Sequence, residues 1–264
     1  MDEALELSFY QVLAAYVFVL ILLLIVRLKG IPREKEIVIA TVRMTLQLVL
    51  VGFILIFLFE NIHPLLTVLA GVLMFSFAVH NVYQRTNALI GPRMKKIIAL
   101  SMAAGILSCL MFFIVAVMNL SPWYDPRYFI PIAGMIIGNS MTGITLGVNN
   151  LNNGMDAHKD RIEGALMLGA APKTASKQVL NEAFDAAMLP TINSMVGMGI
   201  VFLPGMMTGQ ILAGASPLVA INYQIAIMLG VTGSVSLSVL LYLHLSYRVF
   251  FNDRQQLRLS EKTK

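Results

Sequence analysis

The longest polar interval of the chain reads DRIEGALMLGAAPKTASKQVLNEAFDAAMLP, residues 160–190, and it separates two apolar, glycine-rich blocks. Charged and apolar residues alternate along it, with glycines and prolines at spaced positions. A polar insert of this kind in an apolar chain predicts a docking element at the cytoplasmic surface. We therefore expect the fold to be organised around this interval, with the apolar blocks forming the membrane part.

The composition is that of an integral membrane protein. Of the 264 residues, 58% are hydrophobic and 12% are charged, whereas soluble domains carry about 25% charged residues. The net charge of +5 is modest and no basic face lies outside the loops, so nucleic acid is not an expected partner. The single cysteine, Cys109, lies in an apolar run and is interpreted as a packing residue.

Seven apolar segments are long enough to cross a bilayer as helices, which takes about 20 residues. They are Ser8–Leu28, Ile37–Phe59, Leu65–Tyr83, Ile97–Met118, Tyr128–Leu146, Pro190–Leu212 and Ile221–Tyr247. The first follows an acidic flank and is too long for the core of a signal peptide, so we expect it to be retained. The prediction is an all-α polytopic membrane protein with one domain, residues 1–264, and a cytoplasmic loop at about 150–189.

The basic residues are concentrated on one side of the predicted membrane. Of the 19 Lys and Arg residues, all but Arg43 and Arg127 follow the first, third and fifth segments or lie in the tail. An excess of Lys and Arg marks cytoplasmic loops. We therefore expect the N-terminus outside and the C-terminus in the cytoplasm, which agrees with an odd number of helices.

The fifth segment combines small residues with polar ones. Gly134 and Gly138 are four residues apart, as are Gly143 and Gly147, and this spacing lets helix backbones approach closely in lipid. Two interpretations of this spacing are possible: ordinary packing within the chain, or a face that forms a homodimer or lines a pore. Asn139 and Ser140 lie in mid-membrane, where a polar side chain needs a partner, so we expect their face to be turned away from lipid.

The sixth segment contains Pro204 followed by Gly205, and this pair should kink or break the helix. Methionines cluster around it and on the fifth segment. Methionine usually fills gaps in a core, but its thioether is also a soft metal ligand or part of a hydrophobic gate. The candidates for a translocation pathway here are Met135, Asn139, Ser140, Met141, Met195, Met198, Pro204, Gly205, Met206, Met207 and Gln210.

Two further polar positions lie near the inner ends of predicted helices. Arg43 and Gln47 in the second segment are pathway candidates, although Arg43 is close enough to the cytoplasmic end to reach the headgroups. As a pathway residue, Arg43 favours an anionic substrate. His80, in the third segment, is interpreted as a hydrogen-bonded anchor.

No predicted membrane core contains an Asp or Glu. Proton-coupled transporters generally use such carboxylates as relays. The sequence also lacks a P-loop and the motifs of metallopeptidases and serine hydrolases. A self-contained carrier or channel is therefore disfavoured, an intramembrane enzyme more so, and a pump of this kind needs a partner that supplies the energy.

The opening interval predicts two short helices joined at a corner. Gly169 can end the first helix, and Pro172 can begin the second at its first turn. From Lys173 to Leu189 one stripe is apolar, as in an amphipathic helix. We expect such a corner to bind in a complementary pocket of another protein. The alternative is that the interval is an amphipathic helix that lies on the membrane surface.

The run E-G-A-x-x-x-G-A-A-P resembles the EAA loop of ABC-transporter permeases, in which a coupling helix enters a cleft of the ATPase subunit. In this sequence the run comprises Glu163, Gly164, Ala165, Gly169, Ala170, Ala171 and Pro172. The I-x-L-P run that follows the usual loop is displaced here to Leu189-Pro190. With G-N-S-M in the fifth segment and P-G-M-M-T-G-Q in the sixth, nearly the whole chain resembles the FetB family of iron-export permeases and plant aluminium-tolerance permeases.

The resemblance implies a permease subunit in the plasma membrane, driven by a separate ATPase and assembled as a permease homodimer. ATP and magnesium would belong to the partner, and this chain would bind no cofactor of its own. The implied cargo is iron, exported from the cell. The alternative is a self-contained secondary transporter or channel for a metal ion or an organic anion.

Overall fold

The computed structural model describes residues 8–86 and 91–257, and the regular structure in these ranges is helical apart from two isolated β-bridges. The predicted acidic N-terminus and the tail residues Arg258, Lys262 and Lys264 lie outside the described residues. The chain divides between Ile62 and His63 into two compact units. That the whole chain is a single domain stays a prediction.

Among the described residues, the first unit holds three α-helices and the second unit eight. The first three are α1 (Phe9–Ala15), α2 (Val17–Leu28) and α3 (Glu34–Glu60). The others are α4 (Pro64–Arg85), α5 (Pro92–Phe112), α6 (Pro126–Ala157), α7 (Lys159–Met167), α8 (Pro172–Ala175), α9 (Lys177–Gly197), α10 (Gly205–Leu212) and α11 (Pro217–Ser246). A π-helical turn at Phe113–Val117 extends α5, and a 3-10 turn at Tyr247–Phe250 extends α11.

Within the described ranges, six helices are long and apolar enough to cross a membrane, by length and composition. They correspond to six of the seven predicted segments, and the predicted count of seven is not confirmed. The exception is Pro190–Leu212, which we expected to begin a helix at Pro190. Instead Pro190 lies inside α9, which starts thirteen residues earlier at Lys177 and ends at Gly197.

The predicted inner end of the fifth segment, Leu146, is also wrong, because α6 continues to Ala157. The apolar run stops at Leu146 because polar residues follow it, so hydropathy alone ended the segment there. The helix continues because its opposite face, with Gly147, Val148, Leu151 and Met155, is buried. The predicted loop at 150–189 is therefore mostly helix.

Small residues allow three helices of the second unit to approach closely. A methyl group added at Gly105 on α5 would lie 2.1 Å from the Ser238 Oγ on α11 and 2.7 Å from the Ser238 backbone nitrogen. At Gly143 on α6 it would lie 2.7 Å from a Val235 methyl. The Ser140 and Ser234 hydroxyls are hydrogen-bonded at 2.9 Å in the same region. These contacts favour the interpretation of Gly143 and Gly147 as packing residues within the chain.

The helix break predicted at Pro204-Gly205 is present. Residues 198–204 form an irregular segment between α9 and α10, and Gly199 adopts a left-handed backbone with φ +82°. The Gly197 carbonyl accepts a hydrogen bond from the Val201 amide at 2.9 Å, and the Pro204 carbonyl accepts one from the Thr208 amide at 2.9 Å. The segment thus satisfies part of its own backbone, as a break within an apolar layer requires.

Candidate functional site

The inner ends of α6 and α9 pack against each other and form a two-helix stalk, residues 147–157 and 177–188. At 1.5 Å per residue the 32-residue α6 is about 48 Å long, while the hydrocarbon core is about 30 Å thick. A layer of this thickness that began near Pro126 would leave about 18 Å of α6 outside it. The outer faces of the stalk carry exposed Asn, Asp, Glu, Lys and Gln side chains, which agrees with a position in water.

The stalk is held by close apolar packing. Val179, Ala183 and Ala187 on α9 are buried, as are Leu151 and Met155 on α6. The stripe that we predicted from Lys173 to Leu189 therefore faces α6. This arrangement disfavours the alternative in which the interval lies flat on the membrane surface.

We predict that Gly154→Ala loosens the stalk. A methyl group there would lie 2.6 Å from a Val179 methyl, and a β-branched side chain in a helix cannot easily rotate away. Overpacking of this kind destabilises by about 1–3 kcal/mol. The measurement is the melting temperature of the purified chain in detergent. The double variant Gly154→Ala/Val179→Ala should recover most of the loss, and equal melting temperatures for wild type and Gly154→Ala would contradict the described packing.

The corner predicted at Gly169 to Pro172 is present at the tip of the stalk. Gly169 has φ +87°, and its amide donates to the Leu166 carbonyl while the Ala170 amide donates to the Ala165 carbonyl, both at 3.0 Å. This pair of bonds is the Schellman motif, in which glycine ends a helix. Pro172 then begins α8, as expected of proline in a first helical turn.

The corner exposes two large apolar side chains that we did not single out from the sequence. Met167 is 86% exposed and Leu168 is 91% exposed. They lie in the same part of the fold as the exposed basic residues Lys159, Arg161 and Lys173. An exposed apolar pair beside basic side chains is a candidate contact for a protein or for the membrane surface. Their position directly before the left-handed glycine is the sequence signal that could have found them.

The other residues of the predicted coupling run lie on both sides of Met167 and Leu168 in the sequence. Glu163 and Lys159 form an ion pair on α7 at 3.9 Å. Gly164 and Ala165 are partly buried, as are Ala170 and Pro172, whereas Ala171 is exposed. Most of the run is therefore partly buried, and Met167 and Leu168 are more exposed than these neighbours.

A line of polar side chains is exposed along α6 inside the predicted membrane layer. Asn139 lies about 20 Å along α6 from Pro126, and its amide donates to the Met135 carbonyl at 2.8 Å. Thr142 continues the line and donates to the Gly138 carbonyl of its own helix. Asn150, which also donates to its own helix, lies beyond the line on the stalk. Of the two residues predicted to face inward, Ser140 is buried and Asn139 is exposed in the single chain. Asn139 and Thr142 are three residues apart, a spacing that places both on one helix face and that the sequence already shows.

The methionine candidates mostly serve packing in this structure. Met207 is buried, and Met135, Met141 and Met206 pack against the core. The Met195 sulfur accepts a hydrogen bond from the Thr232 hydroxyl at 3.4 Å. Met195, Met198, Pro204, Gly205 and Gln210 all border the break between α9 and α10. Among the described residues, the buried side-chain Oε1 of Gln210 has no hydrogen-bond partner.

The remaining candidates lie in the first unit. Arg43 and Gln47 are exposed on α3, and their role in a pathway stays a prediction. Within residues 8–86 and 91–257, no group of three or more His, Cys, Asp or Glu side chains could hold a metal ion.

Comparison with known proteins identifies the family of this chain. The model of the uncharacterised protein family UPF0014 matches residues 9–251. The chain belongs to the UPF0014 family. It is thus a multi-pass membrane protein with six apolar helices of spanning length among its described residues.

Relatives of UPF0014 type occur in bacteria and plants. The chain is 34% identical over 250 residues to "Probable iron export permease protein FetB" of Escherichia coli (strain K12), with 95% of each chain covered. It is 36% identical over 245 residues to "UPF0014 membrane protein YjkA" of Bacillus subtilis (strain 168), covering 93% of this chain and 96% of YjkA. It is 34% identical over 245 residues to "Protein ALUMINUM SENSITIVE 3" of Arabidopsis thaliana, covering 93% of this chain and 88% of that relative. No solved structure matches the chain.

Proposed function

We propose that the chain is the permease subunit of an ABC transporter that exports metal, with iron as the cargo, and that a separate ATPase subunit drives it. The observation that carries the proposal is the stalk with its apolar corner. The corner leaves Met167 and Leu168 almost fully exposed, and we expect the ATPase subunit to bury these two side chains. The name of the FetB relative supports the permease role and the cargo.

The path of the chain supports seven crossings, of which one is interrupted. The turn that follows α11 lies beside α7, since residues of both line one cleft. The 30-residue α11 is about 45 Å long, so its start lies at the opposite end of the molecule. The chain therefore has to cross the layer between α8 and α11, and it does so through α9, the break and α10. In this topology the corner and the turn that follows α11 lie on the same side of the layer, which supports the predicted cytoplasmic position of both.

The exposed polar line on α6 supports assembly as a permease homodimer. An amide such as that of Asn139 is costly against lipid and needs protein or a water-filled path beside it. Asparagine both donates and accepts hydrogen bonds, so the same face on a second copy can complement it. Two such faces together would form a path lined by neutral oxygen and nitrogen groups.

The chemistry of this path suits a metal ion that keeps oxygen ligands. Amide and hydroxyl oxygens are hard donors, whereas thioethers prefer soft metals. The methionines nearby are largely used for packing, and no Asp or Glu lies in the predicted spans to bind a bare cation tightly. Weak neutral contacts favour passage, because a transported ion has to leave the path as well as enter it.

The test is affinity purification of the full-length chain from its native membranes, combined with metal analysis of a deletion strain. We expect a P-loop ATPase to copurify and cellular iron to rise several-fold in the deletion strain. The Gly169→Arg variant, expressed in the deletion strain, should fail to restore the wild-type iron content. The substitution places a long side chain at the corner and strains a left-handed backbone. The matched control is Gly214→Arg, since Gly214 also has a positive φ of +93° and open space around it, but lies between α10 and α11.

Absence of any nucleotide-binding subunit, together with full transport by Gly169→Arg, would refute the ABC assignment. Unchanged iron with altered copper or organic anion content would refute the cargo alone.

A further inference from the structure

The segment after α11 forms an ordered turn beside the corner. Phe251 and Leu257 are joined by an antiparallel bridge, and both pack against the hydrophobic core of the second unit. Between them the chain reverses over Asn252 to Gln256.

Asn252 supplies the contacts that hold the turn. Its side-chain oxygen accepts hydrogen bonds from the amides of Arg254 at 3.0 Å and Gln256 at 2.9 Å. Its side-chain amide donates to the Gln256 side chain at 2.9 Å, and its backbone amide donates to the Gln256 carbonyl at 3.0 Å. Gln255 is held with φ +59°, a conformation that is unfavourable for residues other than glycine. The turn is thus built to present Asp253, Arg254 and Gln255 in one arrangement.

The turn and the corner are the two walls of one open cleft. The cleft has a volume of about 780 Å³, and its first wall is formed by Glu163, Leu166, Met167, Gly169 and Ala170. Its second wall is formed by residues 253–257. The first wall is mainly apolar and the second is polar and charged. A cleft with this division fits an amphipathic segment of a protein, with its apolar side on the corner and its polar side on the turn.

We propose that the turn, residues 252–257, is a second docking element for the ATPase subunit, so that the subunit contacts α7 and the end of α11 together. The inference rests on the proposed function. The occupant is the ATPase because Met167 belongs both to the apolar corner and to the cleft, which makes the cleft continuous with the proposed docking surface. A subunit held by both walls moves the stalk and α11 at the same time.

Two variants test the turn without altering the core. Arg254 is exposed, and arginine often contributes strongly to protein interfaces. Arg254→Glu should lower the amount of copurified ATPase about tenfold. Arg127→Glu is the matched control, because Arg127 is also exposed but lies at the start of α6, at the opposite end of that helix. It should leave copurification unchanged.

Proximity is measured by cross-linking in a Cys109→Ala background, which removes the native thiol. Asp253→Cys should link to the ATPase through a short thiol-to-amine reagent, whereas Asn222→Cys, near the start of α11, should not. Two outcomes would overturn the second docking element. One is that Arg254→Glu copurifies as much ATPase as the wild-type chain. The other is that the Asp253→Cys variant links only to another copy of the chain or to lysines of its own chain. The proposed function would stand in that case, and it fails separately if the wild-type chain retains no ATPase.

Discussion

Leu168→Glu is expected to reduce copurification of the ATPase subunit by more than about 100-fold and to abolish transport. The side chain is 91% exposed in the chain alone and would be buried in the docked complex. Burying a leucine contributes about 1.5–3 kcal/mol, and burying an unpaired carboxylate is unfavourable by several kcal/mol more. A loss above about 3 kcal/mol corresponds to more than two factors of ten in the dissociation constant.

The matched control for this prediction is Asn222→Glu. Asn222 is exposed near the start of α11, and the substitution adds the same charge at the opposite end of that helix. It should leave ATPase copurification and transport at the wild-type level. The measurement is the ratio of the two subunits after purification, together with ATP-dependent transport in vesicles. Equal loss in both variants would show a general defect in expression or assembly, and wild-type behaviour of Leu168→Glu would exclude the corner as the docking site.

Gly105→Ala is expected to destabilise the second unit strongly, although alanine is the better helix former. The added methyl group would lie 2.7 Å from the Ser238 backbone nitrogen and 2.9 Å from its Cα. A flexible side chain could move aside, but a helix backbone cannot, so α5 and α11 have to separate. Overpacking in a core is unfavourable by about 1–3 kcal/mol. A shift of α11 would also disturb the hydrogen bond between Ser140 on α6 and Ser234 on α11.

The melting temperature in detergent measures this effect, and a loss of about 2 kcal/mol lowers it by roughly 4–8 °C in a chain of this size. The half-buried Cys109 on α5 offers a native thiol whose reaction with a fluorescent dye reports unfolding. Gly52→Ala is the control, because a methyl group there meets nothing within 4 Å. It should keep or raise the melting temperature. A Gly105→Ala variant as stable as the control would refute the close crossing of α5 and α11.

The sequence predicted the positions of the membrane helices well, because hydropathy and length are local properties. The corner was also predictable, since Gly169 and Pro172 have conformational preferences that need no tertiary partner. The break near Pro204 followed from the missing amide of proline. In each case the physical cause lies within a few residues of its effect.

The stalk could not be predicted in the same way. The polar residues after Leu146 ended the apolar run, yet α6 continues because Gly154 and Met155 face α9. Likewise Pro190 is a typical first residue of a helix, but α9 begins earlier and continues past Pro190, because Ala183 and Ala187 pack against α6. Tertiary contacts override local preference at both places.

By itself, therefore, the sequence determined that the chain is a multi-pass helical membrane protein with a sharp polar corner, because composition and backbone preference decide those features locally. Only the tertiary structure decided that the corner stands at the tip of a stalk, with Met167 and Leu168 exposed and the turn at Asn252 beside them. Residues about ninety positions apart in the chain meet there, and their meeting depends on how α6, α9 and α11 pack.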